Sequence, residues 1–171
     1  MTAYDAGILI LRLALAVTLA AHGFSKFSGP EGLAGTAGMF ESIGFKPGAL
    51  NARLAATAEV AAGLGLAVGL LTPLSAAGFV ALMLVAAWTV HRSNGFFVTQ
   101  SGWEYNFVLA AAAVGAATLG PGRISLDWLL FGATDFYEYL HGWWGLLISV
   151  VVGLLAAIVQ MTVFYRPKVR A

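Results

Sequence analysis

Apolar residues run through this chain in five long blocks, broken by short polar or glycine-rich stretches. The blocks lie at about residues 6–22, 51–71, 73–90, 104–119 and 143–164. About 20 apolar residues, as a helix, cross the roughly 30 Å hydrocarbon core of a bilayer. The pattern therefore predicts five membrane-spanning helices, the fourth a short one. Thr72-Pro73 divides the second block from the third. Proline suits a first helical turn and disrupts a helix interior, so a tight helical hairpin is expected there. The blocks lack alternation of period two, which argues against barrel strands. The first block follows Asp5 and no lysine, the wrong charge for a secretory signal, and is read as a retained helix.

The connections carry patterns of their own. Residues 27–48 are glycine-rich and place Leu33, Ala37, Phe40 and Ile43 at helical spacing. A short helix lying on the membrane surface is expected. Residues 124–140 are apolar and aromatic but interrupted by Asp127, Asp135 and Glu138. They read as an amphipathic segment on the outer face.

Composition agrees with a membrane protein. Of 171 residues, 60% are hydrophobic and only 10% are charged. An ordinary soluble domain carries about 25% charged residues. Disorder, a coiled coil and nucleic-acid binding are excluded on the same ground. The chain has no cysteine, so disulfides, zinc–thiolate sites, iron–sulfur clusters and thiol catalysis are excluded too.

Basic residues set the orientation of such a chain. With five spans, Lys26, Lys46, Arg53, Arg92, Arg166, Lys168 and Arg170 share one side, against Arg123 and Arg12 for the other. The N-terminus is expected outside and the C-terminus in the cytoplasm. Trp88 and Trp103 then fall in the inner aromatic belt, and Trp128, Trp143 and Trp144 in the outer one.

Charges inside spans cost several kcal/mol by most scales, so they call for a partner or a function. Glu59 lies eight residues after Asn51, roughly 12 Å along the helix, and is too short to snorkel to water. His22 and Lys26 are four apart on one face at the end of the first span. His91 and Arg92 close the third span, and Glu104, Tyr105 and Asn106 open the fourth. The topology thus brings His22, Lys26, Glu59, His91, Glu104 and Asn106 toward one leaflet as a candidate ligand-binding cluster. Arg12, Arg123 and Asp127 form a candidate polar group near the outer face, with Asp127 open to either arginine.

Several readings of the cluster stand side by side. Glu59 can be a structural partner for Lys26 or His91, and the histidines can cap their helices. Lys26, Arg53 and Arg92 can serve as topology signals only. Ala61, Gly65 and Gly69 form a small-xxx-small ladder suited to packing within the chain or to a dimer. A functional reading is a pocket for a quinone or similar lipid-soluble ligand. There His and Glu would bond its carbonyls and carry protons, and Trp88, Trp103 or Tyr105 would stack on the ring. A metal held by His22, Glu59, His91 and Glu104 has suitable ligand types but no paired motif. A haem between His22 and His91 is weaker still, because both lie at helix ends.

The segments LRLALAVTLAAHGFSKF (11–27), MFESIGF (39–45), AEVAAGLGLAVGLLTPLSA (58–76), VHRSNGFF (90–97), GWEYNFVL (102–109) and LGPGRISLD (119–127) resemble, in order, the DoxX family of small membrane proteins. The resemblance implies a four-helix membrane domain. It also implies a link to quinone-accepting thiosulfate oxidation, or to membrane oxidoreductase complexes that work with superoxide dismutase and a sulfurtransferase. Many members have no assigned activity. The chain adds about 44 residues after Asp127, including the fifth span and a basic tail.

The expected architecture is therefore an all-α integral membrane protein: a DoxX-like four-helix bundle over residues 1–127, then an outer amphipathic segment, a fifth helix and a basic cytoplasmic tail over 128–171. The expected function is a membrane subunit of a quinone-linked oxidoreductase or respiratory complex. The alternatives are an assembly subunit without ligand and a small-solute or lipid carrier. The expected partners are the bilayer and other membrane proteins or further copies of the chain, with no nucleic acid. Quinone is the candidate cofactor, and none is expected to be covalently bound.

Overall fold

The computed structural model describes residues 1–167. Lys168 and Arg170, part of the basic tail, lie outside the described residues. The described chain is all-helical apart from one isolated bridge, Phe45 to Tyr165. Its principal helices are α1 (Ala3–Ser28), α2 (Gly32–Ile43), α3 (Gly48–Val68), α4 (Thr72–Ala86), α5 (Glu104–Leu119), α6 (Leu126–Phe131) and α7 (Gly142–Phe164). Helix α4 continues through a π-turn, Ala87–His91, and a 3-10 turn, Arg92–Asn94.

Helix α1 starts where the sequence supplies a capping box. The Thr2 side chain accepts from the Asp5 N–H, and the Asp5 carboxylate accepts from the Thr2 N–H at 2.7 Å. Two orphan donors of the first turn are thereby satisfied. Along α1 the buried residues Asp5, Ile8, Arg12, Leu15, Ala16, Leu19 and Gly23 recur every three or four positions, which is one helical face. That face packs closely on α3 because glycine removes side chains at both ends of the contact. A Cβ on Gly23 would lie 2.9 Å from the Ala56 carbonyl, and one on Gly63 would lie 3.0 Å from that of Ala16. Helix association in lipid depends on such close approach.

Three stretches are long and apolar enough to cross a bilayer: Ala3–Ser28, Thr72–Asn94 and Gly142–Phe164. Helix α5 is apolar but shorter. Helix α3 carries Asn51, Arg53 and Glu59, which lower its mean hydropathy below that standard, and it buries Asn51 and Glu59 against neighbouring helices. Five helices of this size pack together, yet length and composition mark only three as spans.

The helix expected on the membrane surface is α2. Phe40 is buried, and Leu33, Ala37 and Ile43 pack with Phe45, Ala52 and Ala55. The expected amphipathic segment becomes α6 and a six-residue 3-10 turn, Asp135–Leu140. Helix α7 packs along α4 and α5, with Gly153 against the Ala77 carbonyl and Ser149 fully buried. It is integrated into the bundle.

The connections sort to two ends. At one end Tyr4 donates to the Leu119 carbonyl, and the Arg123 N–H donates to Asp5 at 3.0 Å. At the other end the Lys46 N–H donates to the Phe164 carbonyl at 3.0 Å, and the Arg166 N–H donates to that of Gly44 at 2.6 Å. Between them lies an apolar core that includes Leu15, Leu19, Leu66, Phe79, Ala113 and Ala116.

Candidate ligand pocket

A cavity of about 370 Å³ opens beside α3 at the end where α1 finishes. Helix α2 contributes Met39, Phe40 and Ile43, α3 contributes Leu54, Ala55 and Ala58, and α4 contributes Gly78, Ala81, Leu82 and Val85. The π-turn adds Thr89 and Val90, and α7 adds Ala156 and Gln160. The wall is predominantly apolar. Its polar groups are Lys26, Glu59, Thr89 and Gln160. Small-molecule sites are commonly cavities of roughly 300–1,000 Å³ with a few placed polar groups, and this one fits that description.

Lys26 and Glu59 meet at the wall. The Lys26 Nζ donates to Glu59 Oε2 at 2.5 Å and approaches the His22 carbonyl at 3.4 Å. This is the one ion pair among the described residues, and both side chains are largely buried. Breaking such a pair from one side leaves an uncompensated charge, which is strongly destabilising. Glu59 Oε1 makes no hydrogen bond among the described residues, and Glu59 lines the cavity.

The other four candidates of the cluster stand apart from the cavity. The His22 side chain is exposed on the outer surface of α1. Positions four apart on a helix differ by about 40°, enough here to put Lys26 at the cavity and His22 outside it. His91 Nδ1 lies 2.7 Å from the Ser101 carbonyl, and Glu104 Oε2 accepts from the Val98 N–H at 2.8 Å. Both fasten the connection between α4 and α5. Asn106 is buried and its amide points at Met83 Sδ, 3.8 Å away. These residues share one end of the bundle but not one site. Trp88, a candidate ring-stacking partner, is half exposed and carries the Arg92 guanidinium 4.1 Å from its ring centre.

Gln160 and Asn51 were not among the sequence candidates, yet they build part of the site. Asn51 is fully buried, and its amide nitrogen donates to the Pro47 carbonyl at 2.8 Å. Its oxygen accepts from Gln160 Nε2 at 2.8 Å. A glutamine within the most apolar span was the available signal.

The outer polar group is wired differently from the expected arginine–aspartate pair. Asp127 is fully buried and accepts from the Leu71 N–H at 2.6 Å, the Thr72 N–H at 2.9 Å and the Thr72 hydroxyl at 2.8 Å. Among the described residues neither Arg12 nor Arg123 forms an ion pair with it. The carboxylate is instead the N-terminal cap of α4, with the first-turn donors that the helix cannot satisfy itself. Arg12, also fully buried, donates to the Ile124 carbonyl at 2.6 Å. Arg123 lies over the Trp128 ring at 5.1 Å. The small-residue ladder is used within the chain. A Cβ on Gly65 would meet Ser75, and one on Gly69 would collide with the Arg12 guanidinium.

A second recess lies at that outer-group end, lined by residues that include Tyr4, Asp5, Arg123, Tyr137 and His141. Burial above all, then the charges of Tyr4, Asp127 and Asp5, raises the Tyr137 phenol above its ordinary range. The apolar core separates this recess from the cavity at the Lys26–Glu59 pair.

The DoxX family model matches residues 7–92, half of the chain. The chain belongs to the DoxX family. The match includes most of α1, all of α2 and α3, and α4 with its π-turn, and with them Lys26, Glu59 and every residue of the cavity wall except those of α7. An uncharacterized protein of Haemophilus influenzae is 28% identical over 124 residues, covering 72% of this DoxX protein and 82% of that one. No solved structure matches the chain.

Proposed function

We propose that this DoxX protein is a membrane subunit that binds a lipid-soluble ligand of the quinone class in the cavity at Lys26 and Glu59, within a quinone-linked oxidoreductase assembly. The observation that carries the proposal is the cavity itself. It is mostly apolar, as an isoprenoid or aromatic ring requires, and its few polar groups include one ion pair. Lys26 retains N–H capacity for a ring carbonyl, since two contacts use only part of its three donors. In this reading all five of α1, α3, α4, α5 and α7 cross the bilayer. The N-terminus lies outside, and the cavity sits in the inner leaflet.

The apolar core between the cavity and the outer recess favours ligand binding over a carrier, because no polar path joins them among the described residues. The test is purification from the native membrane followed by extraction and chromatography of bound lipids. Near-stoichiometric quinone is expected in the wild type. About tenfold less is expected in Ala58→Phe, which fills the cavity, with the variant still monodisperse. Quinone at bulk-lipid levels in the wild type, or equal retention in Ala58→Phe, would overturn the proposal and favour an assembly subunit without ligand.

A further inference from the structure

Helix α7 lies outside the stretch that the family model matches, yet it supplies one of the four polar groups of the cavity wall. That group is Gln160, and its orientation is fixed by a chain of hydrogen bonds. The Pro47 carbonyl can only accept, so the Asn51 group facing it is the amide nitrogen. Asn51 must then present its oxygen to Gln160, so the Gln160 group bonded there is Nε2. Gln160 Oε1 is left without a partner among the described residues, and Gln160 lines the cavity. Glu59 lines the same cavity, and its Oε1 makes no hydrogen bond among the described residues. Two acceptors are therefore unfilled, and one belongs to a carboxylate. Lys26 directs two of its three N–H groups to Glu59 and His22, and the third can reach an oxygen of either form of the ring.

We infer that Gln160 and Glu59 together make this a site for the hydroxyl-bearing, reduced form of the ligand, a quinol, in preference to the quinone. The inference rests on the ligand class proposed above. A ring hydroxyl donates to either acceptor, and a bond to a carboxylate is about twice as strong as a neutral one. A ring carbonyl in the same place sets its lone pairs against those of Glu59 Oε1 or Gln160 Oε1. A ligand that covers these oxygens without donating to them strips their water and leaves a bond unmade, which costs enough to change affinity by about tenfold. Asn51 acts as a positioning residue, because it holds the Gln160 oxygen toward the cavity.

The test is equilibrium binding of decylubiquinol and decylubiquinone to the full chain in nanodiscs, with bound probe measured by chromatography and electrochemical detection. The wild type is expected to hold the quinol about tenfold more tightly. Gln160→Met is expected to reduce the ratio to about threefold or less by weakening quinol binding, with quinone affinity within about twofold of wild type. Glu59→Gln, which keeps the shape and a partner for Lys26, is the second variant and is expected to lower the ratio in the same way. Equal binding of the two probes by the wild type would overturn the preference and leave the cavity proposal standing. A ratio unchanged in both variants would remove Gln160 and Glu59 as its cause. Binding of neither probe above the level of Ala58→Phe would overturn both this inference and the one beneath it.

Discussion

Asp127→Asn is the sharpest test of how the bundle is held at its outer-group end. The wild-type carboxylate takes three donors, from the Leu71 N–H, the Thr72 N–H and the Thr72 hydroxyl, at 2.6, 2.9 and 2.8 Å. It also holds Leu71 in a left-handed conformation with φ of 45°, where a side chain costs roughly 1–2 kcal/mol. Asparagine keeps the shape but replaces one accepting oxygen with an amide nitrogen. At least one donor then faces another donor in a site with no exposure to solvent. Hydrogen bonds to charged groups contribute about 1.5–3 kcal/mol each, and a buried unsatisfied donor costs a further amount of the same order. The expected loss is about 3 kcal/mol. Thr72→Val removes only the hydroxyl bond and is expected to cost about 1 kcal/mol. For a chain of this length 3 kcal/mol corresponds to a melting shift of roughly 6–12 °C. The assay is reversible unfolding in mixed micelles, followed by far-UV circular dichroism. A loss below about 1 kcal/mol for Asp127→Asn, or an equal loss for Thr72→Val, would refute the capping argument.

Gly69 sits at φ of 64°, and a Cβ there would collide with the Arg12 guanidinium. Gly69→Ala is expected to destabilise by more than the roughly 1 kcal/mol of left-handed strain, and combining it with Arg12→Ala should give a coupling of at least about 1 kcal/mol. Additive costs in the same unfolding assay would show that the two do not touch. The chain has no natural cysteine, so single cysteines report topology without background. An impermeant maleimide on intact cells should label Asp135→Cys and not Lys46→Cys, and the reverse pattern would invert the orientation.

Much of this protein can be read from its order of residues. The helices follow from runs of apolar residues with Pro73 as the break, because lipid leaves the backbone no hydrogen-bond partner but itself. Helix α2 follows from Leu33, Ala37, Phe40 and Ile43 at helical spacing. Glu59 was visible as a charge that needed a partner, and Lys26 was among the named choices. Family membership was legible in the quoted segments between residue 11 and residue 92.

Which polar residues meet was a different matter. Spacing put His22 beside Lys26 on one face, but the α1–α3 contact through Gly23 turned Lys26 to the cavity and left His22 outside. Topology placed His91 and Glu104 at the same end as Glu59, yet each found a nearer backbone group to bond. Asp127 was expected to meet an arginine, and the open first turn of α4 met it instead. Gln160 gained its place only because α7 packs along α4 and near α3, 109 positions from Asn51 in the chain. Sequence by itself determines where the chain is apolar and which charges are out of place, since those are properties of single residues and of local period. The tertiary structure alone decides which of those charges share a cavity, because a hydrogen bond depends on ångströms and angles that helix packing sets.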